Sequence, residues 1–222
     1  MADEVGHGDR RAATDGDPAG APAGTSAAPA GGAHRPTLVI VSGPPGSGKT
    51  TMAGLLARAL PCPLVSRDAI NEGIFHTFGH DLGVAAKDSV ARMAFDAFFQ
   101  TVDLLLSAKV SVVAEAAFQH RRWRLGLDSL KTEADIRLVH CVIDPGLARR
   151  RVAARLREQP DGPGARRAAL ARRGRTGGGA ASGFEEVSLA VPSLRVATAR
   201  GYDPDIDVII DFIRAQRGSG TQ

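Results

Sequence analysis

The segment Thr37–Thr51 constrains this chain more than any other. It runs Thr-Leu-Val-Ile-Val-Ser, then Gly43-Pro44-Pro45-Gly46-Ser47-Gly48-Lys49-Thr50-Thr51, and passes into an apolar-periodic stretch. Periodicity reads the first part as a buried strand, the middle as a glycine-rich turn and the end as the start of a helix. Such a strand–turn–helix aims several backbone N–H groups, and the positive end of a helix dipole, at one point. That point suits phosphate. Gly43, Gly46 and Gly48 allow backbone angles and close approach that a side chain would forbid. In the pattern G-x-x-x-x-G-K-T, Lys49 reaches the β- and γ-phosphates and the Thr50 hydroxyl ligates Mg²⁺. The candidate nucleotide contacts are therefore Gly43, Pro44, Pro45, Gly46, Ser47, Gly48, Lys49, Thr50 and Thr51, and the expected ligand is a nucleoside triphosphate.

The 222 residues suffice for one α/β domain of ordinary size plus tails. Aromatic residues make up only 5%, so Ala, Val, Leu and Ile must build the core. The net charge of +4 is unevenly spread: residues 1–35 carry five acids and three Arg, residues 149–175 ten Arg and two acids. A basic cluster points to phosphate or nucleic acid. Its place beyond the glycine-rich turn favours cations for a triphosphate, with nucleic acid the less favoured partner. The two cysteines, Cys62 and Cys141, form neither a disulfide framework nor a C-x-x-C site, which suits a reducing cytoplasm. Cys141 lies in an apolar run and reads as a core residue. No apolar run approaches membrane-spanning length, the N-terminus lacks a secretory core, and no membrane partner is expected.

Residues 1–35 contain one Val and no Leu, Ile or Phe. They cannot bury enough apolar surface to offset their ordering entropy, and are expected to be a disordered tail. The domain is expected over 36–217, followed by a short tail at 218–222. Within it strands and helices alternate. Strands are expected at Thr37–Ser42, around Leu64–Ser66, and at Val110–Glu115, Ile136–Ile143 and Leu194–Thr198. Helices are expected at Lys49–Leu60, about Asp68–His76, Asp88–Ala108, about Arg121–Glu133, Pro145–Arg157 and Asp205–Gln216. In the long helix Val90, Met93, Ala94, Ala97, Phe98, Thr101, Leu104 and Leu105 recur at three-and-four spacing. Residues 159–183, with Pro, Gly and Arg pairs, read as a mobile loop. Alternating βα units of this length imply a parallel sheet with helices on both faces, a three-layer α/β fold.

Ligand sites in such folds lie at the carboxyl ends of the strands. Two acids stand there. Asp68 follows the second strand. Phosphoryl transfer needs one residue to orient the acceptor hydroxyl and take its proton, and Asp68 is the candidate base; as a favoured helix cap it has a second reading. Glu115 ends Val-Ser-Val-Val-Ala-Glu and reads either as an acid near Mg²⁺ or as a solvated strand-end acid. Arg149, Arg150, Arg151, Arg155 and Arg157 crowd one helix, where a closing arginine can stabilise charge on the γ-phosphoryl group. Arg151 and Arg155, four apart, share a face. His76 and His80 lack the partners of a metal site. Trp123 reads as packed, and the loop holding Tyr202 as a resting place for a base. The only Asn is Asn71, so no guanine-reading Asn-Lys-x-Asp motif exists, and the protein-kinase motif set is absent.

Gly43–Thr51, Ser66–Ile70, Val112–Phe118, Arg151–Arg155, Pro192–Val196 and Gly201–Pro204 together resemble the small P-loop kinases of the AAA-type ATPase group. These are similar to the 5′-hydroxyl kinase domains of polynucleotide kinases and, more distantly, to zeta toxins, gluconate kinases and chloramphenicol phosphotransferases. The resemblance spans about Leu38 to Arg214. It implies a kinase-like P-loop NTPase fold with a five-stranded parallel sheet, ATP with Mg²⁺ as cofactors, and transfer of the γ-phosphate to a hydroxyl acceptor. It implies Lys49 and Thr50 as phosphate and Mg²⁺ ligands, Asp68 as base, Arg151 and Arg155 as lid arginines and Gly201–Pro204 beside adenine. Polynucleotide kinases carry an arginine three residues after the base. Asn71 stands there in this chain, which favours a small-molecule acceptor over a nucleic-acid end.

Overall fold

The computed structural model describes residues 35–78, 86–118, 120–158 and 184–215. The tails expected at 1–35 and 218–222 fall outside them, apart from Arg35, as does the loop expected at 159–183. The described residues belong to one compact unit that begins at Arg35.

Five strands form the sheet: β1 (Thr37–Ser42), β2 (Leu64–Ser66), β3 (Val112–Glu115), β4 (Asp135–Val142) and β5 (Ser193–Ala197). Their spatial order is β2-β3-β1-β4-β5, and each neighbouring pair is parallel. β1 is central, and Leu38–Ser42 are all buried. A strand covered on both faces reads as a continuous apolar run, which is why Leu-Val-Ile-Val lacks alternation. The helices are α1 (Lys49–Ala59), α2 (Arg67–Phe78), α3 (Ala86–Ser107), α4 (His120–Ser129), α5 (Pro145–Glu158) and α6 (Ile206–Arg214). Among the described residues no helix is long and apolar enough to cross a membrane.

The sheet divides the core in two. On one face Leu38, Ile40, Val112, Ala114, Ile136 and Leu138 meet side chains of α3 and α4. On the other Val39, Val41, Val113, Val139 and Val196 meet Met52, Ala53 and Leu56 of α1 and Ile209 and Ile213 of α6. Few aromatics are present, yet they concentrate: Trp123 packs within 4.7–5.6 Å, ring centre to ring centre, of Phe95, Phe98, Phe99 and Phe118. Trp123 is thus a core residue, as its sequence context indicates.

The structure corrects the expected face of α3. Its buried stripe is Val90, Ala94, Phe98, Val102 and Leu106, while Met93 is 42% and Leu104 70% exposed. The stripe follows a four-residue ridge, Phe95, Phe99 and Leu105 pack half-buried beside it, and Met93 and Leu104 lie on the solvent side. The helix expected over about Arg121–Glu133 ends at Ser129 and tightens into a 3-10 turn at Leu130–Thr132. β3 starts at Val112 rather than Val110, because Lys109, at φ 62, turns the chain before it.

Candidate active site

Strand order builds the site. Chain runs leave the central β1 toward both edges, so a crevice opens at the carboxyl ends beside it. The P-loop, residues 43–51, occupies that crevice. Ser47 N–H donates to the Pro44 carbonyl at 3.1 Å, and Met52 N–H to the Gly48 carbonyl at 3.0 Å. Gly48 stands at the α1 N-cap in the left-handed region, with no side-chain cap. The first amides of α1 are therefore left for a ligand, as an anion site requires. Gly46, at φ 85, lies so close to α5 that a Cβ there would stand 2.5 Å from the Ala148 carbonyl oxygen. The Asp144 carboxylate accepts from Leu147 N–H at 2.8 Å and so caps α5.

Glu115 is the buried centre of the site. It is 0% exposed and Lys49 only 7%. Its Oε1 lies 3.6 Å from Lys49 Nζ and accepts from the Thr50 hydroxyl at 3.3 Å. Its Oε2 accepts from the Ser66 hydroxyl at 2.7 Å. Register explains the convergence: Glu115 pairs with Val41 on one side and Ser66 on the other. The reading of Glu115 as a solvated strand-end acid is thereby overturned. Thr50 and Glu115 supply hard oxygen donors of the kind Mg²⁺ takes, alongside phosphate oxygens and water. Among the described residues no group of three or more His, Cys, Asp and Glu side chains could hold a metal alone.

Asp68 lies in the first turn of α2, 3.8 Å from Arg67 Nη1. Ser66, not Asp68, takes the capping position: its hydroxyl accepts from Ala69 N–H at 3.4 Å while donating to Glu115. Ser66 thus ties the start of α2 to the Lys49–Glu115 pair, a function its sequence position alone did not disclose. The local sign was a serine three residues before a main-chain donor at a helix start. Asn71 is 6% exposed on α2. The His76–His80 pair remains half described, because His80 lies outside the described residues.

Arg151 Nη2 donates to the carbonyls of Thr198 and Ala199, each at 2.9 Å, so it grips the loop after β5. Arg149, Arg150, Arg155 and Arg157 are exposed on α5. Tyr202 is half-buried against the α1–α6 core, and the Asp203–Pro204 peptide is cis. Cys141 lies behind the P-loop; burial pushes its thiol up to about 12, with Lys49 pulling down and Glu115 pushing up by less. It stays protonated and unreactive.

Beside the first P-loop residues a cleft of about 170 Å³ is lined by Gly43, Pro44, His140, Ile143, Phe184 and Glu186, among others. His140 is 5% exposed, with Nδ1 3.4 Å from Glu186 Oε1. Burial holds its pKa below the usual range, the Glu186 carboxylate opposes that, and Arg195 adds to it.

The sequence profile of the AAA_33 family, described as an AAA domain, matches residues 38–175. The fold is similar to a structure described as that of a kinase candidate from Chloroflexus aurantiacus J-10-fl, at 26% identity and TM-score 0.65, covering 82% of this chain and 96% of that one. It is similar also to the APS kinase CysC of Mycobacterium tuberculosis in complex with AMPPNP and APS, at 20% identity and TM-score 0.55, covering 82% and 99%. A sugar kinase from Janibacter sp. HTCC2649 shares the fold at 16% identity and TM-score 0.50, covering 81% and 94%. No curated protein matches the chain. The profile match over residues 38–175, more than half of the chain, with the five-stranded parallel sheet and its glycine-rich turn, makes the chain a member of the AAA_33 family with a kinase-like P-loop fold.

Proposed function

We propose that this chain is a phosphotransferase that moves the γ-phosphate of Mg·ATP to a hydroxyl of a small-molecule acceptor. One observation carries the reading: a fully buried carboxylate, Glu115, is held against both Lys49 and Thr50 at the mouth of an open P-loop. Likeness at 26% identity to a chain described as a kinase supports it.

The residues divide the work as follows. The amides at the start of α1 receive the β- and γ-phosphates. Lys49 places positive charge beside the transferring group and stabilises the charge that develops there. Thr50 and Glu115 would hold Mg²⁺, directly or through water, and the ion would neutralise phosphate oxygens. Asp68 orients the acceptor hydroxyl and takes its proton. The new bond forms between the acceptor oxygen and the γ-phosphorus as the bond from that phosphorus to the β–γ bridging oxygen breaks, and ADP leaves. Arg155 on α5 is available to the γ-phosphoryl group, while Arg151 acts through the loop it holds.

The test is ADP release across sugars, nucleosides, aminoglycosides and short oligonucleotides. An acceptor that stimulates release and becomes phosphorylated supports the reading. Asp68→Asn is expected to leave ATP binding within about threefold and to cut transfer roughly 10²-fold or more, as for loss of a general base; unchanged transfer would remove Asp68 from the reaction. If no acceptor stimulates release, the chain is an ATP-binding module with little turnover. The exposed Arg149, Arg150, Arg155 and Arg157 favour one second reading, phosphorylation of nucleic-acid 5′ ends. Oligonucleotide affinity that falls steeply with salt would support it, and salt-insensitive or absent binding would reject it.

A further inference from the structure

Thr198, the residue just past β5, is 4% exposed. Its N–H donates to the Val142 carbonyl at the end of β4, at 3.1 Å. Its Oγ1 lies 2.7 Å from the Ser47 carbonyl oxygen and 3.3 Å from that of Val142. A hydroxyl has one proton to give, and the shorter contact assigns it to Ser47. The Thr198 carbonyl in turn accepts from Arg151. One buried residue therefore joins the P-loop, β4 and α5.

We propose that Thr198 is a positioning residue that fixes the direction of the Gly48 N–H and with it the grip of the loop on phosphate. The inference rests on the phosphate-binding reading of that loop. The Ser47–Gly48 peptide is planar and trans, so the Ser47 carbonyl and the Gly48 N–H form one rigid unit and point in opposite directions. Tying the carbonyl to Thr198 turns the N–H away from β5. The neighbouring peptides are already fixed: Ser47 N–H by the Pro44 carbonyl, and the Gly48 carbonyl by Met52 N–H. Only the unit between them needs a restraint, and Thr198 supplies it. Ser47 does not do so itself: among the described residues its buried hydroxyl has no hydrogen-bond partner. Gly48, at φ 79 and with no heavy atom among the described residues within 4 Å of where a Cβ would stand, offers little steric resistance to a peptide flip.

The experiment uses the whole chain with Thr198→Val, which keeps the branched shape and removes the hydroxyl, and Thr198→Ser, which keeps the hydroxyl. Thr198→Ala is measured beside them, so that a folding defect peculiar to valine does not decide the outcome. Calorimetry with Mg·ATP and with inorganic tripolyphosphate gives affinities, and thermal melts give stability. Loss of a donor to a buried carbonyl is expected to weaken both ligands about fivefold or more in the Val and Ala variants, with Ser within about twofold of wild type. Tripolyphosphate lacks a base, so its loss locates the effect at the phosphates. Variants that melt lower but bind both ligands as wild type does, or that lose ATP alone, would overturn the inference. A folded wild-type chain that binds neither ligand would overturn the nucleotide reading itself, whereas wild-type binding with indifferent variants rejects only the role of Thr198.

Discussion

Glu115→Gln keeps the shape of the side chain and removes one charge from the centre of the site. Lys49 is 7% exposed, and its ammonium lies 3.6 Å from the carboxylate. With an effective dielectric near 20, Coulomb's law gives an attraction of about 4–5 kcal/mol at that distance. Desolvation of both ions offsets much of it. Neutralising one partner does not restore water to the other. Lys49 is left buried with no counter-charge, and breaking such pairs costs about 3–5 kcal/mol. The hydroxyls of Thr50 and Ser66 compound the loss, because a carboxylate accepts from both whereas an amide has one oxygen. The expected loss of unfolding free energy is therefore about 3 kcal/mol, read as a lower urea midpoint at constant slope. In a melt it corresponds to a fall of roughly 6–12 °C for a domain of this size. Repeating the substitution in a Lys49→Met background should recover a coupling of about 1–3 kcal/mol. Metal-free nucleotide should raise the melting point of Glu115→Gln more than that of wild type, since phosphate replaces the lost negative charge. A loss below about 0.5 kcal/mol, or an equal loss with and without Lys49, would refute the pairing.

Two other perturbations test the frame around the site. Gly46→Ala and Gly48→Ala both impose positive φ on a residue with a Cβ, but among the described residues only at Gly46 would that atom meet a neighbour, the Ala148 carbonyl. Gly46→Ala should therefore be the more destabilising by roughly 1–3 kcal/mol in urea unfolding, and equal losses would argue that α5 does not press on the loop. At His140 burial lowers the folded pKa below the unfolded value of about 6.5, against Glu186 and with Arg195. The unfolded chain then binds the proton more readily, so this contribution to stability is fully present above about pH 6.5 and is lost as pH falls through the folded pKa. Melting points from pH 7.5 to 5 should fall more steeply for wild type than for His140→Gln; parallel curves would contradict the assignment.

What could be read from the sequence was what is local. The strand–turn–helix over Thr37–Thr51 carries its own signals, and so do the alternation of strands and helices and the apolar setting of Cys141 and Trp123. The two readings of Glu115 could not be separated along the chain. They differ by where β3 sits, and its place between β1 and β2 is set by a crossover that brings Val41 and Ser66 to either side. The long-range partners of Ser66 and Thr198 are hidden along the chain for the same reason. Their partners, Glu115 and Ser47, lie 49 and 151 residues away. Among the arginines of α5, sequence spacing gave shared faces but not the rotation of the helix that turns Arg151 onto the Thr198 and Ala199 carbonyls. On α3 the three-and-four pattern overstated the buried face, since Leu104 and Met93 sit at its water-facing edge.

Titration of the folded chain with Mg·ATP in a calorimeter, beside Lys49→Ala, most directly probes whether the backbone amides at the head of α1 hold a terminal phosphate with Lys49. One site per chain, weakened at least about tenfold by the substitution, is the expected outcome for loss of a charged phosphate contact. Absence of binding by folded wild type, or equal affinity for both proteins, would contradict it.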